Sequence, residues 1–488
     1  MPKTKMGDVV IVLPGIMGSI LHNKEGVCIW GPSLGVAGNV LLDKFRSAFG
    51  IPEESLQQLE LKADDSEFDF APDGVQPKGI MKFPYWAMPL HIILDDYQKL
   101  SETLTDYFDV VPGKNYFEFA YDWRRDNRIN ARRLERFVND SLHNWRTDPK
   151  GDPEAKVILL GHSMGGLVAR YYLEVLGGRD YCKALFTFAT PHRGSVESIE
   201  SLANGTKFAG INLDAVVRSF PSNYQLLPIY PVIKIGDQYE RIAEASIALP
   251  NIDKAKAVDA LNFHHEIRDA VKQRSSGGYS TIPIVGTKQD TKQSAVLDEN
   301  GKIQIGFDMP ADLLSEGGEA VFGRGDGTVP YLSAIPIELT TEYRQTYIAE
   351  RHGSVQNHGQ VLDQVCTLMA AMQVRGAENF QNPGIDEVAQ GSAAISLEVG
   401  DLYSAEEVVE LRAKIIDSKA DFGKLRARIT SASDESIPTQ RVEFQEQGGQ
   451  WVLHLENLPP GLYRAEVNTE NKGAGTPGSV NGLFAVIA

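Results

Sequence analysis

The aliphatic run Val157-Ile158-Leu159-Leu160 breaks into Gly161-His162-Ser163-Met164-Gly165-Gly166, and apolar residues then resume at helical spacing over 167–176. A continuous aliphatic run reads as a strand buried on both faces, which is the habit of parallel sheets covered by helices. A plain strand-to-helix connection needs one glycine, whereas this one places three around a single serine. A parallel strand feeding a helix restricts the chain to α/β architectures, because a neighbouring parallel strand requires a crossover.

The same alternation recurs elsewhere. Val9–Leu13, 116–119, 184–189 and 281–285 read as further buried strands, with helical patterns at 94–107, 129–145, 242–249 and 360–374. Two long segments rich in aromatics, Gly and Pro, about 22–90 and 195–278, interrupt it and are expected to be lid or cap insertions. The α/β domain is therefore expected over 1–375, followed by a polar linker at 376–394. Short alternating runs at 396–399, 425–429, 441–444, 451–455, 463–467 and 483–487, separated by turn residues, predict a small immunoglobulin-like β-sandwich over 395–488.

Composition excludes several classes of function. A net charge of −17 opposes binding to nucleic acid, which needs clustered Lys and Arg to displace counterions, and opposes docking on anionic headgroups by charge. Any membrane contact is expected to be apolar and transient. Cys28, Cys182 and Cys366 are odd in number and far apart, so neither a disulfide scaffold nor a zinc site is indicated. The apolar run after Lys3 and Lys5 is short and ends in Pro14-Gly15, which reads as a strand rather than a signal peptide. No apolar run approaches the ~20 residues that span a bilayer. The expected location is the cytoplasm, with peripheral contact at membranes.

Gly161-His162-Ser163-Met164-Gly165 fits G-x-S-x-G, in which a strained turn projects a nucleophilic serine above the sheet edge. The Met164 N–H, at a helix N-terminus, then faces the reacting oxygen. A second oxyanion donor comes from a loop after an earlier strand, and Pro14-Gly15-Ile16-Met17-Gly18 offers the N–H of Ile16. The base and acid follow in the chain order Ser, Asp or Glu, His. Of ten histidines, His352 and His358 lie in the loop before the last helix, and His358, directly preceding that helix, is preferred. His162 is read as pointing away from the nucleophile. Asp290 and Asp326 compete as the acid, the first close behind the strand at 281–285 and the second in Gly325-Asp326-Gly327. The residues alone leave these two level.

The segments LPGIMGSIL (13–21), AYDWRRD (120–126), LLGHSMGGLVAR (159–170), ATPHRGS (189–195), RSFPSNYQLLP (218–228) and GDGTVP (325–330) occur in an order that resembles the lecithin:cholesterol acyltransferase-like family of α/β-hydrolases. The resemblance covers roughly 8–370 and leaves the C-terminal sandwich outside the family core. It implies an α/β-hydrolase fold with a mobile lid, Ser163 as nucleophile, Asp326 as acid and His358 as base, with Ile16 and Met164 donating backbone N–H groups. It also implies an acyl-ester substrate, commonly a glycerophospholipid. No metal or cofactor is required for such chemistry.

The expected activity is thus serine acyl hydrolysis of lipid esters, as an A-type phospholipase or a lipid acyltransferase. The competing expectation is a silent or partner-gated binding protein on a hydrolase scaffold, with the sandwich as a surface for a protein partner. Trp30, Phe83, Tyr85, Trp86 and Met88 mark the first insertion as a lid or simply as core. Arg124 and Arg125 are open to two readings, phosphate recognition or ion pairs with Asp122 or Asp126.

Overall fold

A computed structural model describes residues 3–31, 56–62, 64, 71–82, 97–208, 211–274, 278–308, 325–339, 346–374 and 393–487, apart from 401, 405, 417, 419, 432–435 and 474. Phe83, Tyr85, Trp86 and Met88 and nearly all of the expected linker lie outside the described residues.

Six strands form the central sheet: Val9–Leu13 (β1), Tyr116–Glu118 (β2), Val157–His162 (β3), Cys182–Phe188 (β4), Ser280–Gly286 (β5) and Thr346–Ile348 (β6). Their spatial order is β6-β5-β4-β3-β1-β2, and every pairing is parallel. All residues of β1 and β3 are buried. Side chains alternate across a strand, so Val9, Ile11, Val157 and Leu159 face one layer of helices while Val10, Val12, Ile158 and Leu160 face the other.

The first layer holds Asn127–Thr147, Met164–Glu174 and Lys254–Gln273, through Leu134, Val138, Leu167, Val168, Phe263 and Ile267. The second holds Gln98–Tyr107 and Gly359–Ala371, through Leu100, Leu104, Val361, Leu362 and Val365. In chain order the helices are named α1 (Gln98–Tyr107), α2 (Asn127–Thr147), α3 (Met164–Glu174), α4 (Lys254–Gln273) and α5 (Gly359–Ala371). Asp126 caps α2 by accepting the Arg128 N–H at 2.7 Å, and Asp253 caps α4 through Ala255 and Lys256. This is the α/β-hydrolase architecture that the sequence predicts. The chain builds outward from β1 to β2 and then crosses to β3, so the strand order reverses between β1 and β3, where open α/β sheets hold ligands at their carboxyl ends.

The insertions carry structure of their own. The described part of the first forms a three-stranded sheet of Ser19–His22, Cys28–Trp30 and Gln76–Ile80. Trp30 is core: its ring meets Trp123 edge-on at 5.5 Å and its Nε1–H donates to the Met17 carbonyl. The expected helix at 242–249 is only a short turn, Ile242–Glu244, and the long helix of this insertion is α4. Cys28, Cys182 and Cys366 are unpaired. Among the described residues no helix is long and apolar enough to cross a membrane.

The C-terminal segment forms two sheets packed on a core that includes Leu397, Leu411, Ala427, Leu453, Ala465 and Phe484. One sheet begins with Ala394–Val399 (β7), and the other contains Val480–Ile487 (β8) beside Gly461–Thr469. The expected strands omit Val409–Ile416, whose buried Val409, Leu411 and Ala413 alternate with charged residues and pair it with β7.

Candidate active site

Ser163 sits between β3 and α3 with φ 48° and ψ −125°, a conformation that costs a non-glycine residue energy and persists only where its surroundings enforce it. The enforcement is steric. A Cβ on Gly165 would lie 2.4 Å from the Pro14 carbonyl oxygen, and one on Gly166 would lie 2.0 Å from Thr190 Oγ1. The glycines therefore let the elbow press against the loops after β1 and β4 at once. The Ser163 N–H donates to the Phe188 carbonyl at 2.8 Å, which ties the turn to the end of β4.

Asp326 is buried, and its Oδ1 accepts the backbone N–H groups of Thr328 at 2.9 Å and Val329 at 2.7 Å. Thr291 Oγ1 holds the flanking Gly325 and Gly327 N–H groups. Gly286, which ends β5, makes room for this loop, since a Cβ there would lie 2.5 Å from that of Asp326. The remaining oxygen, Oδ2, lies 2.8 Å from His352 Nδ1. Asp290 faces solvent and pairs with Lys414 at 2.7 Å, so of the two acids only Asp326 meets a histidine that reaches Ser163.

The histidine that meets the serine is not the expected one. His352 Nε2 lies 3.0 Å from Ser163 Oγ, and His352, not the expected His358, joins the serine to the aspartate. The 3₁₀ turn His352–Asn357 explains the difference: it starts near the carboxyl end of β6 and carries the chain past the sheet edge before α5 begins. His358 becomes the cap residue of α5, where burial and the charge of Lys99 push its imidazole below the usual range.

A second hydrogen-bonded chain runs behind these residues. His162 is buried rather than turned away, with Nε2 3.2 Å from the His352 carbonyl and Nδ1 2.9 Å from the Tyr97 hydroxyl. A carbonyl only accepts, so Nε2 carries the hydrogen. In the neutral ring Nδ1 then accepts from Tyr97, whose oxygen accepts the Gly15 N–H at 2.7 Å. The loops bearing Gly15, Ser163 and His352 are thus linked. Sequence reasoning missed Tyr97, whose partner is 65 positions away.

Ser163 and His352 open into a cavity of about 460 Å³ whose apolar wall includes Ile16, Met17, Trp123, Val217, Phe220 and Leu226. Ile16 lines the same cavity as Ser163, and Met164 opens α3, whose first N–H groups lack intrahelical partners. Arg124 and Arg125 are not in this wall. They are buried against Asp122, Asp73 and Asp64, which decides for the ion-pair reading. His192 is buried and kept neutral by desolvation and the nearby Arg170, and His264, pushed down to about 4 by burial, bonds the Gln225 carbonyl.

The fold and this arrangement define an α/β-hydrolase with a serine, histidine and aspartate in hydrogen-bonded series. Residues 93–274 match the family model described as lecithin:cholesterol acyltransferase. The resemblance that the ordered motifs carry is shown over this segment, which contains Ser163. The chain is similar to lecithin-cholesterol acyltransferase-like 4 of Arabidopsis thaliana, with 26% identity over 221 residues, covering 41% of this chain and 37% of that relative. It therefore spans little more than a third of that protein's length. Among solved structures it is similar to the lipase BlEst2 of Bacillus licheniformis. The mature form has 15% identity and a TM-score of 0.33, covering 76% of this chain and 96% of that one. The propeptide form has 12% identity and a TM-score of 0.33, covering 79% and 88%.

Proposed function

We propose that the protein is a serine acyl hydrolase acting on lipid esters, as an A-type phospholipase or a lipid acyltransferase. The observation that carries this reading is the series Ser163 Oγ, His352 Nε2, His352 Nδ1 and Asp326 Oδ2, at 3.0 and 2.8 Å, at the mouth of a largely apolar cavity. His352 takes the Ser163 proton as Oγ attacks the ester carbonyl, while Asp326 holds the imidazole in the required tautomer. The oxyanion forms against the N–H groups of Ile16 and Met164. His352 then protonates the departing alcohol, leaving an acyl ester on Ser163. Water or an acceptor alcohol, deprotonated by His352, releases the acyl group as a fatty acid or a new ester.

The resemblance to the acyltransferase family supports a lipid substrate, and the apolar wall suits an acyl chain. Contact with membranes would be apolar and peripheral, given the net charge of −17. Labelling with a fluorophosphonate, compared between wild type and Ser163→Ala, tests the nucleophile. Labelling that survives in Ser163→Ala overturns it. Incubation with mixed phospholipid and neutral-lipid vesicles should release fatty acid or transfer an acyl chain, read by mass spectrometry.

A further inference from the structure

The C-terminal sandwich reads from sequence as a surface for some other protein, yet part of that surface is occupied by its own chain. The Gln289 side chain is buried between the two units, donating to the Ile395 carbonyl at 3.3 Å and accepting the Leu397 N–H at 3.2 Å on β7. The backbone of Gln289 pairs with Gly325, beside Asp326. Lys414 of the sandwich reaches Asp290. The loop carrying Asp326 is therefore fastened to β7.

The loop carrying His352 is fastened to β8. Glu350, two residues before the base, is buried, and its Oε1 accepts the Arg351 N–H at 2.9 Å. Its carboxyl is also hydrogen-bonded by the side chain and backbone of Asn481, on β8. The next residue, Gly482, packs so closely that an added Cβ would lie 2.8 Å from Leu397 and 3.6 Å from Arg351 Nη1. Asn481 and Arg351 also line the cavity into which Ser163 opens. A buried carboxyl without donors is costly, so the register of Glu350 against β8 is set by hydrogen bonding as well as by packing.

We propose that Asn481 is a positioning residue of the active centre: through Glu350 it holds the His352 loop in place, so the sandwich is an intramolecular part of the site. The inference rests on the hydrolase reading above. Asn481 does not touch the reacting atoms; it fixes where His352 stands relative to Ser163, and a displacement of the base by about 1 Å slows such chemistry on the order of a hundredfold.

The test uses the full chain and a fluorophosphonate probe, following the rate of Ser163 labelling together with thermal unfolding. Asn481→Asp sets a second carboxyl against Glu350, and labelling should slow at least about tenfold. Combining it with Glu350→Gln restores one carboxyl facing one amide and should bring the rate back to within about threefold of wild type. Asn481→Ala, which adds no charge, should also slow labelling and carries the test if Asn481→Asp does not fold. Ile429→Val, a mild truncation in the sandwich core, should leave the rate unchanged at equal loss of melting temperature, which a merely structural role for Asn481 would not predict. If wild type labels but Asn481→Asp and Asn481→Ala label equally fast, the positioning role is overturned and the hydrolase reading stands. Slowing by Asn481→Asp that Glu350→Gln does not relieve also overturns it. If wild type does not label at all, both readings fall.

Discussion

The imidazole of His162 donates its Nε2–H to the backbone carbonyl of His352 at 3.2 Å, so the residue before Ser163 holds the backbone of the histidine that meets it. The two rings lie 5.0 Å apart, and on its far side the His162 ring is held at Nδ1 by the Tyr97 hydroxyl. An imidazole hydrogen-bonded through both ring nitrogens at this point spaces the elbow from the 352–357 turn.

Tyr97→Phe tests that spacing. It keeps the ring but removes the partner of the Gly15 N–H and of His162 Nδ1 in a fully buried setting. The expected loss is about 1–3 kcal/mol of stability, because a buried donor is left without its acceptor. Phosphonate labelling should slow as well, since Gly15 precedes the Ile16 donor. Urea unfolding and labelling rates measure the two effects separately, and a variant equal to wild type in both would dismiss the chain as incidental.

The two histidines of the last loop should separate cleanly. His352→Ala removes the group 3.0 Å from Ser163 Oγ, and turnover of a soluble ester should fall roughly 10⁴-fold, the upper range for a lost general base. His358→Ala, at the start of α5, should change turnover less than about tenfold, because a cap residue away from the reacting atoms acts only through local stability. Steady-state kinetics on both purified variants decide the assignment.

Asp326→Asn should cost roughly 10⁴-fold in kcat with little change in KM, since an amide facing Nδ1 favours the wrong tautomer while leaving the geometry intact. Asp290→Asn removes only a solvent-exposed pair with Lys414 and should stay close to wild type. Greater loss in Asp290→Asn would reverse the assignment of the acid.

The parts of this molecule legible in its sequence are those dictated by local sterics. Val157 to Gly166 specify a buried strand and an elbow without reference to anything distant, and the crowding at Gly165 and Gly166 bears that out. Asp326 and Asp290 are level on their residues alone. What separates them is Thr291 and Gly286, which shape the Asp326 loop through contacts no spacing rule encodes. His352 rather than His358 meets Ser163, because proximity to the last helix is a poor guide when a 3₁₀ turn intervenes. Tyr97, Gln289 and Asn481 were not legible at all, since each acts across a fold-level contact between segments far apart in the chain.

Glu350 also gives the site a pH signature. Burial pushes its carboxyl up from 4.5 to about 7, against the hydrogen bonds from Arg351 and Asn481 and the charge of Arg351, which hold it down. The folded value lies above the unfolded one, so its contribution to stability is fully present below about 4.5 and is lost as pH rises through about 7. Glu350→Gln stays neutral throughout and should lack this slope. Between about pH 5 and pH 8 the wild type should lose up to about 3 kcal/mol relative to the variant. The difference between the two curves isolates Glu350. His192 and His264, buried and held neutral, act in the opposite sense in both proteins: their folded values are depressed, so their contribution is present above 6.5 and is lost as pH falls below it. Chemical denaturation across this range measures the difference, and parallel curves would mean that the Glu350 carboxyl is ionised as readily in the folded chain as in the unfolded one.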